Sequence, residues 1–171
     1  MCMTTFVLVS CQNNENQAKN SESINSSSYI NENRYDPTLI KIGEKIQTFV
    51  LSDIVVIPAT DDYPIDTVSA LFEGKAILTG DLHYIKADND LYNEDLLTFT
   101  PNYSSQLKLP ISHHEETISP IVFVNQAKAS LLLDILPGEK RTNVTLEIDQ
   151  FTDHFLAGDA LDTAKLINVI K

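Results

Sequence analysis

Apolar and polar residues alternate most regularly between residues 68 and 84. Small or apolar residues occupy every even position there, namely Val68, Ala70, Phe72, Gly74, Ala76, Leu78, Gly80, Leu82 and Tyr84. A period of two is typical of a β-strand with one buried and one exposed face. Because this run is far longer than the usual strand of about 5–6 residues, it predicts one long strand that bends at its glycines, or two strands joined by a three-residue loop at 73–75.

Strands are also predicted on both sides of this segment. Residues 46–57 are dense in Val, Ile and Phe and stop at Pro58, which indicates one buried strand or two strands in tandem. Shorter apolar runs predict further strands at 96–100, 107–111, 118–124 and 166–170.

A second alternating pattern covers residues 141–149. Val144, Leu146 and Ile148 occupy the predicted inward face, and polar residues lie between them. Phe151 is out of phase with this alternation, which indicates a β-bulge. Residues 125–136 favour a short helix that Pro137 and Gly138 terminate, and a second buried strand is the alternative.

Many short strands separated by turns are typical of an antiparallel sandwich. We therefore predict a mainly β fold, an antiparallel β-sandwich of roughly immunoglobulin-like build with one short helix near residues 125–136. A partly open β-barrel is the alternative. The predicted domain lacks the paired cysteines and the tryptophan of antibody-type domains, because the only cysteines are Cys2 and Cys11 and the chain has no Trp.

The composition differs before residue 37. Residues 12–36 are rich in Asn, Ser, Glu and Gln and poor in branched apolar residues. Such a stretch cannot bury enough surface to offset the entropy lost on ordering. We predict three parts: a short apolar segment at 1–11, a disordered polar tether at 12–36 and a single β-rich domain at 37–171.

The first two parts meet at Leu8-Val9-Ser10-Cys11, where a short apolar run leads to a small residue and a cysteine. This junction resembles the lipobox of bacterial lipoproteins, in which the cysteine is lipidated and becomes the new N-terminus. The resemblance implies lipidation of Cys11, a membrane anchor through that lipid, and a location on the extracytoplasmic face of the cell membrane. The segment before Cys11 has no Lys or Arg, unlike a complete signal peptide, so we expect the true start upstream.

The net charge is −12, from 24 acidic and 12 basic residues. Binding to nucleic-acid phosphates requires clustered Lys and Arg, so we predict no nucleic-acid partner. A protein or another component of the cell envelope is the expected partner.

Acidic and amide side chains crowd the segment at 88–95. Calcium prefers oxygen ligands, and five of these side chains are the candidate ligands, namely Asp88, Asp90, Asn93, Glu94 and Asp95. The glycine and the final glutamate of a helix–loop–helix calcium site are missing, because Asn93 and Phe99 occupy those positions. A solvated loop is therefore the main interpretation, and a calcium site is the alternative. No other cofactor is predicted.

The run His113-His114-Glu115-Glu116 raises the question of a metal site. Adjacent side chains on a strand point to opposite faces, so we interpret this run as a polar hairpin tip. The chain contains neither a nucleophile-elbow nor a phosphate-loop motif, and no catalytic residues are predicted.

These features predict a surface-anchored bacterial lipoprotein whose single β-domain binds or scaffolds rather than catalyses. An extracytoplasmic hydrolase that uses paired carboxylates is one alternative. An immunity or inhibitor lipoprotein that acts on a protein partner is the other, and its sign would be an exposed apolar patch.

Overall fold

Strands dominate the part of the chain that the structure describes. This computed structural model describes residues 32–60, 66–87, 94–116, 118–155 and 161–170. In chain order the elements are β1 (Arg34–Tyr35), β2 (Lys45–Ile46), β3 (Phe49–Ile57), β4 (Thr67–Gly74), β5 (Ala76–Ile85), β6 (Leu96–Pro101), α1 (Tyr103–Gln106), β7 (Ile111–Ser112), β8 (Ile121–Phe123), α2 (Gln126–Leu133), β9 (Lys140–Phe155) and β10 (Thr163–Ile170).

Five of the strands pair in a ring. β5 pairs with β6, β6 with β8, β8 with β10 and β10 with β9, which returns to β5. Within the ring only β8 and β10 are parallel. The predicted mainly β architecture, a sandwich or a partly open barrel, is confirmed, and the ring corresponds to the barrel. Small five-stranded barrels, of which the OB-fold is one, serve many functions, so the architecture assigns none.

The remaining strands extend this ring. β4, β3 and β2 continue the sheet outward from β9. β1 and β7 form a separate two-stranded parallel sheet, in which Arg34 pairs with Ile111 and Tyr35 with Ser112. This small sheet fastens the first described residues to the turn that follows β7.

The alternation at 68–84 belongs to one long strand with a break, and not to a hairpin. β4 and β5 lie end to end along the same edge of β9, where Phe72 pairs with Phe151 and Ala76 with Ile148. The break occurs at Gly74, whose φ of +153° is a conformation that glycine adopts readily. The even positions point inward on both sides of it, as predicted, with Ala70, Phe72, Ala76, Leu78 and Leu82 buried.

A β-bulge in β9 explains the break in alternation at Phe151, as predicted. Leu166 of β10 pairs with Ile148, whereas Ala164 pairs with Phe151, so β9 advances one residue further than β10. The extra residue reverses which side chains point inward. Leu146 and Ile148 are buried before the bulge, and Phe151, Asp153 and Phe155 are buried after it.

The helix predicted near 125–136 is confirmed as α2. Its Ala129 and Leu133 are buried in the core. Asp134 ends it with a left-handed φ of 48°. None of the helices in the described ranges is long and apolar enough to cross a membrane.

Two strand expectations need correction. Residues 46–57 are not buried throughout, because Val55, Val56 and Ile57 are exposed one after another and both faces of β3 are therefore open to solvent there.

The strand expected at 107–111 is wrong except at its end. Residues 107–109 instead form turns, because the backbone N–H groups of Lys108 and Leu109 donate to the carbonyl oxygens of Ser105 and Gln106 at 3.0 and 3.1 Å. These turns follow α1, which Asn102 caps by accepting a hydrogen bond from the Ser105 backbone N–H at 3.0 Å.

The folded part also begins before residue 37, although a tether was expected up to residue 36. Asn33 and Tyr35 are buried, and Arg34 and Tyr35 form β1. These residues are polar, like those of a linker, but the side chains of Asn33 and Tyr35 form hydrogen bonds within the fold.

A substitution at Gly80 tests how closely β5 and β6 pack against each other. A Cβ at Gly80 would collide with the carbonyl oxygen of Thr100 and lie 2.8 Å from the Phe99 ring. We expect Gly80→Ala to lower the free energy of unfolding by about 3 kcal/mol, because backbone must move to accept the methyl group. Chemical denaturation followed by circular dichroism measures this change.

Gly138→Ala is the matched control. A Cβ at Gly138 would meet open space, and only its φ of +94° opposes the substitution, at about 1 kcal/mol. Equal losses in the two variants would contradict the close β5–β6 packing.

Candidate functional site

Three carboxyl groups from separate parts of the sequence converge at one place in the fold. One oxygen from each of Glu115, Asp153 and Asp162 lies within 4.8 Å of the others. Asp153 and Asp162 are each only 1% exposed, and Glu115 is half-buried. We call these three residues the acidic cluster.

The bulge in β9 places Asp153 in this cluster. Because the bulge reverses the alternation, Asp153 points inward between Phe151 and Phe155. Its Oδ2 accepts two hydrogen bonds, from the Tyr35 hydroxyl at 2.7 Å and from the Ser112 backbone N–H at 2.9 Å. Asp153 therefore joins β9 to β1 and β7.

Asp162 comes directly before β10 and faces the same space. Its Oδ1 accepts a hydrogen bond from the His154 backbone N–H at 3.0 Å. Its backbone carbonyl accepts another from Val122 of β8 at 2.8 Å. Asp162 is thus fixed between the end of β9 and the start of β8.

Arg34 holds the turn that carries Glu115. Its guanidinium donates to the carbonyl oxygens of Ser112 at 3.1 Å and Glu116 at 2.8 Å, and also to that of Glu115. These acceptors are backbone atoms, so the positive charge lies near the cluster without a hydrogen bond to its carboxyl oxygens.

Each carboxyl of the cluster has one buried oxygen without a hydrogen-bond partner. These atoms are Glu115 Oε2, Asp153 Oδ1 and Asp162 Oδ2. A buried polar atom that lacks a partner destabilises the fold, and a buried charge does so more strongly. The arrangement therefore calls for either protons or a cation.

The electrostatics of the cluster follow from burial and mutual repulsion. Burial, with the neighbouring Asp153 charge, raises the pKa of Glu115 to about 7 and that of Asp162 to about 8. Burial also raises the pKa of Asp153, although its hydrogen bonds from Tyr35 and Ser112 oppose the shift. Burial and Asp153 raise the pKa of Tyr35, so its hydroxyl stays a donor.

The polar run at 113–116 is only partly the hairpin tip that the sequence predicts. The rings of His113 and His114 contact each other at a tilt of 39°, with centroids 3.9 Å apart, and both residues are exposed. Glu115, in contrast, is half-buried and turns toward Asp153 and Asp162. The sequence could not show this, because both partners lie far along the chain.

Most of the calcium candidate at 88–95 lies outside the described residues. Asp88, Asp90 and Asn93 belong to that undescribed part. Asp95 accepts a hydrogen bond from the Ala87 backbone N–H at 2.8 Å, so it braces the two ends of the segment. A calcium site there stays the alternative to a solvated loop, and lipidation of Cys11, which also lies outside the described residues, stays a prediction.

The sequence did contain one signal for Asp153. Phe151 is out of phase with the residues before it. Continued for two residues, the new alternation places Asp153 on the inward face. A charged residue on a buried face is rare unless it has a partner. No comparable signal exists for Asp162, which precedes its strand.

An open cleft of about 420 Å³ lies beside β1 and β2. Arg34 and Tyr35, which contact the acidic cluster, line it together with Asp36, Ile40, Glu44 and Ile46. A second cleft of about 350 Å³ is lined by Lys75, Lys108 and Glu147, among others. In the described part of the chain, neither cleft exposes the buried carboxyls Asp153 and Asp162.

No protein-family model, curated protein or solved structure matches the chain. This agrees with the sequence, in which no named family is recognised for the folded domain.

The raised pKa values of the acidic cluster predict how the free energy of unfolding depends on pH in chelator-treated protein. The folded state keeps protons on Asp162 and Glu115 up to about pH 8 and 7, whereas the unfolded chain has already lost them. Fewer protons are then bound in the unfolded state, so the free energy of unfolding falls as the pH rises from 6.5 to 8. For Asp162 the slope is at most about 1.4 kcal/mol per pH unit, and the half-buried Glu115 adds less because solvent screens it.

Urea denaturation at several pH values measures this slope. Burial lowers the pKa of His154 and of His83 from 6.5, so these groups have the opposite effect, which fades above pH 6.5 as the unfolded chain loses their protons. Asp162→Asn should flatten the dependence. A wild-type stability that is constant or rises between pH 6.5 and 8 would contradict the raised pKa values.

Proposed function

We propose that this chain is a bacterial surface lipoprotein, anchored through a lipid on Cys11, whose β-domain binds a partner rather than catalysing a reaction. The observation that carries the proposal is the run Leu8-Val9-Ser10-Cys11 followed at once by a long polar stretch. A lipid anchor of this kind needs a polar spacer to hold a domain away from the membrane.

The way in which the polar stretch joins the domain supports the proposal. The Asn33 side-chain amide donates to the carbonyl oxygens of Gln106 at 3.1 Å and Leu109 at 2.8 Å. Arg34 donates to carbonyl groups of the turn after β7. The chain is therefore held by side-chain hydrogen bonds at the point where it enters the fold, as a tethered domain requires.

The burial of the acidic cluster favours binding over the hydrolase alternative. A glycosidase-type mechanism needs two carboxyl groups that a substrate can reach. Asp153 and Asp162, which lie close together, are each 1% exposed. Their position is that of groups that hold an internal proton or ion.

Exposed apolar side chains support a role for a protein partner. Leu131 is 82% exposed, Leu136 67% and Val124 61%, all on or beside α2. The net charge of −12 would assist a basic partner. An immunity or inhibitor role is therefore the second candidate function, since such a protein acts through surface contact.

Metabolic labelling tests the lipid anchor. Cells that express the natural gene are grown with an alkyne-bearing fatty acid, and the isolated protein is coupled to a fluorophore. We expect labelling of the wild type and loss of the label in Cys11→Ser, because the thiol that accepts the lipid is gone.

Cys2→Ser provides the matched control, since Cys2 is the only other cysteine, and it should label like the wild type. Equal labelling of Cys11→Ser, or an unlabelled wild type, would refute the anchor.

A further inference from the structure

We propose that Glu115, Asp153 and Asp162 form a binding site for one divalent cation, of which calcium fits best. One oxygen from each carboxyl lies within 4.8 Å of the others. Calcium holds its oxygen ligands at 2.3–2.6 Å. Any two ligands of one calcium ion therefore lie at most about 4.6–5.2 Å apart. The three carboxyls are therefore close enough to share a single calcium ion.

Unpaired buried atoms are the second observation that points to a ligand. On Asp153 both donors, from Tyr35 and Ser112, bind Oδ2, and Oδ1 has no partner. On Asp162 the His154 N–H binds Oδ1, and Oδ2 has no partner. Both residues are 99% buried, being 1% exposed. The fold thus orients one oxygen of each aspartate and leaves the other available to a cation.

The charges of the site balance when one divalent ion is bound. Three ionised carboxyls contribute three negative charges, and Arg34 brings one positive charge close enough to affect Glu115 and Asp153. A divalent cation supplies the remaining two charges. Because the Arg34 guanidinium binds backbone carbonyls, it lowers the repulsion without occupying the free carboxyl oxygens.

The donor set selects the class of cation. The cluster offers carboxyl oxygens without a histidine or cysteine ligand, which suits hard cations and not zinc or copper. Magnesium binds its ligands at 2.0–2.1 Å and demands near-octahedral geometry. A site at a junction of separate segments is better adapted to the looser geometry of calcium.

A bound cation would link the segments that meet at the acidic cluster. Glu115 follows β7, Asp153 lies on β9 and Asp162 precedes β10, while Tyr35 of β1 is bonded to Asp153. The ion would therefore stabilise the place where the N-terminal stretch enters the domain. This inference does not require the lipid anchor and stands if that proposal fails.

Calorimetric titration with calcium chloride tests the site. The full 171-residue chain, produced without export so that Cys11 stays unmodified, is freed of metal with a chelator and titrated at pH 8. We expect one calcium ion per chain and a melting temperature that rises by about 5–10 °C at a calcium concentration 100-fold above Kd. Magnesium should bind at least about tenfold more weakly.

Substitutions at the cluster locate the binding. Asp162→Asn and Asp153→Asn should each weaken calcium binding at least tenfold. Asp149→Asn is the matched control, because Asp149 lies on the same strand but faces outward toward Lys165 at 3.9 Å. A double variant, Asp88→Asn with Asp90→Asn, tests the segment at 88–95 and should bind calcium like the wild type.

Two results would overturn the proposal. One is a wild type that binds no calcium and gains no thermal stability from it. The other is binding that survives Asp162→Asn but disappears in the Asp88/Asp90 double variant. Circular dichroism in chelator confirms that each variant folds, and if an aspartate variant does not fold, Glu115→Gln replaces it because Glu115 is only half-buried.

Discussion

The burial of Asp153 is the constraint on which the rest of the described structure depends. A carboxyl group in the interior must receive hydrogen bonds or a counter-charge, and Asp153 obtains two such bonds from segments far away in the sequence. The Tyr35 hydroxyl, 118 residues earlier, and the Ser112 N–H, 41 residues earlier, both bind its Oδ2. These bonds connect the small β1–β7 sheet to the main sheet. The β-bulge is what turns Asp153 inward, so a single inserted residue in β9 determines how the start of the described chain attaches to the ring.

The surroundings of this residue are apolar. The Tyr35 ring packs edge-on against Phe72 and Phe155, with centroids 5.2 and 6.2 Å apart, so the hydroxyl reaches the cluster from an aromatic layer of the core. Three carboxyl groups in such a place repel one another and resist ionisation, which opposes folding at neutral pH. Proteins retain groups of this kind mainly where they hold a proton, an ion or a reactive centre.

Much of the fold could be predicted from local patterns, whereas the cluster could not. The alternation at 68–84 correctly placed the inward face of β4 and β5, and the phase break at Phe151 correctly indicated the bulge. Such patterns work because one buried face is imposed on each strand by the core. Glu115, Asp162 and Tyr35 carry no such imprint. Tyr35 lies in a two-residue strand, Glu115 follows another, and Asp162 precedes its strand, so they meet only through tertiary packing. The candidate calcium segment at 88–95 could be proposed from the sequence because its candidate ligands are neighbours along the chain.

The most direct test of the account is an NMR titration of the side-chain carboxyl carbons of Glu115, Asp153 and Asp162. In metal-free protein, the signals of Glu115 and Asp162 should titrate near pH 7 and 8, far above exposed aspartates and glutamates near pH 4. Calcium added at pH 6.5 should shift both signals to their ionised positions and release protons into the buffer. Titration of both residues near pH 4, with no response to calcium, would contradict the existence of a buried, cation-accepting cluster.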